Sequence, residues 1–179
     1  MPSPLGHMLG AVAGGWLVAG APARGAIAGR TAIREMLVYA SLGAIPDLDL
    51  LFGAHSGPTH SVGAAVIVGV AAAAVASLTD RTRSRRQVLT VALACAAAYG
   101  SHVLLDWLSS DNSAPIGIMA LWPIDRGYYE SDLHVFMAIS RRYYQGWRFV
   151  RQNLLAIARE LAILAGILAI VAMGRQRRE

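Results

Sequence analysis

Long apolar runs, closed at their ends by His and Asp, organise this sequence. Ser61 to Thr79 is nineteen residues without a charge, rich in Ala and Val. As a helix it is long enough to cross about 30 Å of hydrocarbon. Asn153 to Gly174 is a second such run, interrupted only by Arg159 and Glu160 near its start. Three weaker runs, Leu5 to Ala21, Met36 to Phe52 and Val88 to Leu108, each carry His or Asp at one end. β-Branched alternation is sparse and no Asn-Gly or Asp-Gly turn occurs, so strands are not expected. The pattern predicts an all-α, multi-pass transmembrane bundle of about five helices. Residues 1–179 are read as a single membrane-embedded domain, since no repeat or low-complexity linker divides them.

Composition strengthens this reading. Hydrophobic residues make up 55% and charged residues 15%, where a soluble domain has about a quarter charged. Few aromatics and many small residues suit helices packed in lipid. All 16 basic residues are arginine, and the net charge is +5. No base-stacking motif accompanies that charge, so it is read as a determinant of topology and not as a nucleic-acid footprint. The lone cysteine, Cys95, lies in an apolar run and reads as a small core residue. Leu5 to Ala23 ends in Ala-Pro-Ala, like a signal-peptide cleavage site, but no basic residue precedes the apolar run, so a retained first helix is expected.

Arginine placement orients the bundle. Arg24, Arg30 and Arg34 follow the first run, Arg81, Arg83, Arg85 and Arg86 the third, and Arg175, Arg177 and Arg178 the fifth. These ten fall on one side in short loops, against Arg126, Arg141, Arg142, Arg148 and Arg151 on the other. The positive-inside rule makes the first side cytoplasmic. His7, Asp47, Asp49, His55, His60, His102, Asp106 and His134 then all converge on the extracytoplasmic face.

Ionisable groups at membrane depth cost about 2.5–3.5 kcal/mol each on insertion scales and call for compensation. One divalent ion can neutralise two carboxylates and bind neutral imidazoles. His102-Val-Leu-Leu-Asp106 places two ligand types on one helical face. In Pro46-Asp47-Leu48-Asp49 the two carboxylates cannot share a helical face, so one is expected to ligate and the other to orient or to reach a second ion. His55-Ser-Gly-Pro-Thr-His60 sets two histidines around a Gly-Pro turn. Taken singly, these patterns also fit a helix-surface ion pair, a capping loop and a polar loop. His and Asp together suit zinc, or less exclusively manganese.

His7, Pro-Asp-Leu-Asp, His-Ser-Gly-Pro-Thr-His-Ser, Gly-Ser-His-Val-Leu-Leu-Asp and Ala-Leu-Trp-Pro, in that order over roughly residues 5–125, resemble the YdjM-type membrane-bound metal-dependent hydrolases of bacteria. That family is distantly similar to the zinc-dependent phospholipase C and single-strand nuclease superfamily of all-helical phosphoesterases. The resemblance implies one zinc on Asp47, His60, His102 and Asp106, and a second reached by His7 with Asp106 bridging. The superfamily's His-x-x-x-Glu pair has no counterpart; His134, Asp125, Glu130 and Asp132 are what remain. Where the nearer family usually has Arg, this chain has Ser56, which leaves Arg126 as the expected phosphate-gripping substitute.

The expected function is hydrolysis of a phosphoester, in a lipid or lipid-linked substrate, by a metal-activated water at the inner membrane. Asp49 or His55 is expected to act as general base or as an orienter of the ligands. A non-catalytic metal-binding membrane protein with a structural or regulatory role would use the same ligands, and a metal-free interaction protein would pair them with each other. Asp111 to Trp122 reads as a re-entrant or interfacial stretch. Asp132 to Gln152 reads as a basic, aromatic amphipathic helix, which would either contact anionic lipid headgroups or snorkel at a helix end.

Overall fold

Capping residues set where the helices begin. In the computed structural model, which describes residues 1–22, 29–53, 55–111 and 114–176, α1 spans Pro4–Ala19. Its first turn is closed by Ser3, whose hydroxyl oxygen accepts from the Gly6 N–H at 3.1 Å. α3 (Val62–Thr79) starts at Ser61 in the same way, and α4 (Arg85–Trp107) starts at a reciprocal Ser84–Gln87 capping box. α2 covers Arg30–Ala44 and α5 covers Trp147–Gln176. No strand forms among the described residues, as expected. Ala23, Arg24, Asn112, Ser113, Arg177 and Arg178 lie outside them.

Three helices are long and apolar enough to cross a membrane: Val62–Thr79, Arg85–Trp107 and the Trp147–Gly174 stretch of α5. α1, at 16 residues, is a shorter apolar helix. The expected second span, Met36 to Phe52, is corrected. Its helix begins earlier, at Arg30, and ends at Ala44, after which Ile45–Phe52 winds as a tighter 3-10 segment. Pro46 accounts for the change: it has no N–H to donate to the carbonyl four residues back, so the α ladder stops there although Ile45 itself keeps α-helical angles. Gly53 ends the segment at φ 70, a left-handed conformation that a glycine adopts without strain.

The amphipathic helix expected over Asp132 to Gln152 is also absent until Trp147. Its backbone pairs elsewhere. The Ser110 N–H donates to the Phe136 carbonyl (3.0 Å), and the Ile139 N–H to that of Met1 (3.1 Å). Asn153 of α5 clamps Ser140 from both sides, accepting from its N–H at 2.7 Å and donating to its carbonyl at 3.0 Å. Residues 118–122 fold over the start of α3, where the Val62 N–H donates to the Ala120 carbonyl at 2.9 Å.

α4 packs against α1, α2 and α3, and α1 against α2, α4 and α5. α1 and α5 run in the same direction: Ser3 meets Glu160, while Leu168, Val171 and Ala172 pack on the cluster around Trp16. α3 carries a largely exposed apolar surface, including Val66, Ile67 and Val70, as a lipid-facing helix should. Small residues let the inner helices approach. A Cβ on Gly14 would sit 2.7 Å from the Ala97 carbonyl oxygen of α4, and one on Gly43 would overlap the His7 carbonyl of α1.

The N-terminal end of α1 is held by a buried carboxylate. Glu160 accepts from the Ser3 N–H (3.0 Å) and the Ser3 hydroxyl (2.7 Å), over the bare Cα of Gly6. Two outcomes follow from this packing. Gly14→Val forces α1 from α4 and should cost about 1–3 kcal/mol, read as a lowered Tm in detergent micelles. Glu160→Ala strands two buried donors and should also cost about 1–3 kcal/mol, with Glu160→Gln milder because its amide oxygen still accepts. A Glu160→Ala protein as stable as the wild type would show that the clamp contributes nothing.

Candidate metal centre

Four short segments deliver the site, each at the same end of the bundle. His7 lies one turn into α1, its N–H bonded to the Ser3 carbonyl at 3.1 Å. Asp47 and Asp49 come from the 3-10 segment after α2, and His60 ends a 3-10 turn, Pro58–His60, just before α3. His102 and Asp106 occupy one face of the last turns of α4.

Asp106 is the hub. Its Oδ2 lies 3.1 Å from His102 Nε2 and 3.6 Å from His60 Nε2, and its Oδ1 lies 3.3 Å from His7 Nε2. Asp47 Oδ1 closes the group, 3.5 Å from His60 Nε2 and 3.8 Å from His102 Nε2. The His7 and His102 rings stack at 3.7 Å, and His60 meets His102 edge-on at 4.8 Å. His7, His60, His102 and Asp106 are buried, and Asp47 is half-buried. All five expected ligands thus meet.

The outer nitrogens decide how the inner ones point. His102 Nδ1 lies 2.7 Å from the Gly43 carbonyl, which can only accept, so Nδ1 carries the proton. The Thr59 hydroxyl donates to Asp49 Oδ2 at 3.0 Å and lies 3.1 Å from His60 Nδ1, so it accepts from that ring. In neutral rings, both Nε2 atoms then turn a lone pair inward, towards carboxylates that also only accept. His60 Nε2, His102 Nε2 and both Asp106 oxygens are buried without a hydrogen-bond partner among the described residues. Among these groups only the His7 ring can offer a proton, to Asp106 Oδ1 at 3.3 Å; the remaining acceptors repel one another unless a cation lies between them. The donor atoms of His7, His102 and Asp106 lie within 4.8 Å of one another, as do those of Asp47, His60 and His102. A divalent ion with nitrogen and oxygen ligands fits these residues.

Asp49 and His55 form a second layer. Asp49 Oδ2 lies 3.3 Å from His60 Nδ1, and Asp49 Oδ1 lies 3.3 Å from His55 Nδ1. Asp49 therefore braces His60 from behind, while His55 is half-buried at the rim of a cavity of about 630 Å³. Asp47 lines the same cavity, so the ligand group opens into it.

Three supporting groups were invisible to sequence reasoning or carried a weak signal. The Gly43 carbonyl is main chain and has no sequence signature. Thr59 was legible only as the neighbour of His60. Tyr99 of α4 donates its hydroxyl to the Thr59 carbonyl at 2.7 Å, pinning the loop from forty residues away. Two expectations are corrected. His134 does not join the other histidines; it is exposed, 3.4 Å from Glu130, in a segment bonded to the end of α4. Arg126 does not reach the cavity, which Arg141 and Arg142 line instead. It sits in an exposed turn where the Tyr129 hydroxyl and the Gly127 N–H donate to Asp125 and hold that carboxyl below the usual range.

No curated protein and no solved structure matches this chain. A family model does, over residues 1–178, and with three membrane-length helices behind it the match places the chain in the inner membrane. The chain belongs to the YdjM inner membrane protein family.

Proposed function

We propose that this protein is a membrane-bound metal-dependent hydrolase that cleaves a phosphoester in a lipid or lipid-linked substrate. One observation carries the reading: a buried set of inward-facing imidazole and carboxylate acceptors that opens, at Asp47, into a cavity. Asp47, His60, His102 and Asp106 would hold one zinc ion, and His7 would reach a second across Asp106. Manganese is the other metal this ligand set takes. Zinc bound there supplies Lewis acidity and a water-derived nucleophile at neutral pH.

The chain's own residues do the rest. The Gly43 carbonyl and Thr59 fix the ring tautomers, and Asp49 keeps His60 from turning. His55 has Nδ1 on Asp49 and Nε2 against the Met1 sulfur, 2.8 Å away at the cavity rim, and is the general base in this reading once a substrate displaces that thioether. The site faces the extracytoplasmic side in this reading. Its support is the arginine bias: Arg30 and Arg34 at the start of α2, and Arg81 to Arg86 between α3 and α4, lie at the end of the bundle opposite the ligands.

The burial of four of the five ligands also suits a closed structural or regulatory ion, which would hold metal without turnover. Elemental analysis of detergent-purified protein, with zinc offered, should find roughly one or two equivalents. Asp106→Ala and His102→Ala should lose them, and full occupancy in either variant would sink the assignment. His55→Ala should keep its metal and lose about 100-fold or more in kcat on a phosphodiester such as bis(p-nitrophenyl) phosphate. Metal without turnover on any phosphoester or phospholipid would leave the closed-ion reading standing.

A further inference from the structure

We propose that the cavity beside the ligands is a binding site for an anionic phospholipid, with the phosphate on Arg141 and Arg142 and an acyl chain along Leu48, Leu50 and Leu51. The inference deepens the hydrolase reading by naming the substrate class, and rests on it only in treating that lipid as substrate.

The cavity has two unlike walls. One is basic: Arg141, Arg142 and Met1, the last with its terminal ammonium, line it together with one carboxylate, Asp111, and neither arginine forms an ion pair among the described residues, in contrast to Arg83, which lies 3.4 Å from Asp80. Ser140, the residue before them, is clamped by Asn153, so the pair is presented from an anchored stretch of chain. Planar guanidinium groups without partners match the oxygens of a phosphate.

The other wall is apolar. Leu48, Leu50 and Leu51 line the cavity from the 3-10 segment that carries Asp47 and Asp49. Leu51 is 78% exposed and the adjacent Phe52 86%. Side chains of that size, left open in one contiguous run, mark a surface meant for apolar contact. Asp47 lies between the two walls and belongs to the ligand group.

Depth agrees with this arrangement. Tyr143, Tyr144 and Trp147 are strongly exposed directly after the arginine pair. Exposed Tyr and Trp at the mouth of a membrane helix sit at headgroup level. The arginine pair adjoins these aromatics in the chain, so in this proposal it meets the lipid phosphate at their level. Two unpaired cations favour a headgroup with net negative charge. A zwitterionic headgroup brings its own cation against them, so phosphatidylglycerol should be preferred to phosphatidylcholine.

The test is a lipid titration of the full chain in detergent micelles, read by native mass spectrometry. EDTA is present throughout, so binding is measured apart from turnover. Phosphatidylglycerol should bind saturably, and more tightly than phosphatidylcholine. The double variant Arg141→Gln/Arg142→Gln should weaken it by about tenfold or more, while Arg148→Gln, an exposed arginine outside the cavity, should bind as the wild type does. Equal weakening by Arg148→Gln, or none by the double variant, would overturn the proposal. So would glycerol phosphate binding as tightly as the lipid, since the site would then take a soluble phosphate. Zinc added afterwards, with diacylglycerol release followed, tests the hydrolase reading separately: lipid bound but not cleaved would remove that reading and leave the site.

Discussion

A single buried carboxylate at the C-terminal end of α4 governs this molecule. Asp106 is almost fully buried, and a carboxylate there is tolerable only with compensation close by. The compensation comes from His102 one turn earlier on α4, 3.1 Å away, and from two other segments, which bring His7 to 3.3 Å and His60 to 3.6 Å. That demand explains why α4 is the central helix. It must touch α1 for His7, the end of α2 for Asp47 and the Gly43 carbonyl, and the start of α3 for His60. The glycines that let α1 approach α4 and α2 serve the same end, since the ligands can meet only if the backbones do.

Much of this was legible in the residues. The charge-free run Ser61 to Thr79 located α3 to within a residue, and the run Asn153 to Gly174, broken by Arg159 and Glu160, located α5 apart from its first turns, because hydrocarbon thickness leaves little freedom in helix length. The i, i+4 spacing of His102 and Asp106 and the clustering of His7, Asp47 and His60 at run ends were enough to assemble the ligand set. What sequence could not carry was main chain. The Gly43 carbonyl orients His102, yet any residue has a carbonyl. The stretch from Asp132 to Gly146 reads as an amphipathic helix by composition, and its extended path is settled by hydrogen bonds to Met1, Leu108 and Asn153, residues far away in the chain. The fate of Arg126 and His134 was likewise tertiary: both belong to local turns whose direction no spacing rule reports.

The two halves of the site are built on different physics. The histidine and aspartate cluster is buried and crowded, with the His60 and His102 rings braced from behind by Thr59, Asp49 and the Gly43 carbonyl. The cavity next to it is roomy and open, and its walls come from a 3-10 segment and an irregular strap, neither of them a long helix. Asp47 belongs to both, half-buried where its fellow ligands are buried, so it is the point at which the crowded part is exposed to whatever fills the open part.

The Asn153 clamp ties these parts to the bilayer. Asn153 is on α5, and through Ser140 it holds the strap that ends in Arg141 and Arg142. α5 is long and apolar enough to cross a bilayer, and membrane helices tilt to match the hydrocarbon around them. Tilt of α5 carries Asn153 with it, and the rim of the cavity with Asn153. The strap that lines the cavity is thereby fastened to a helix long enough to span the membrane, and not only to the helices around the histidine and aspartate cluster.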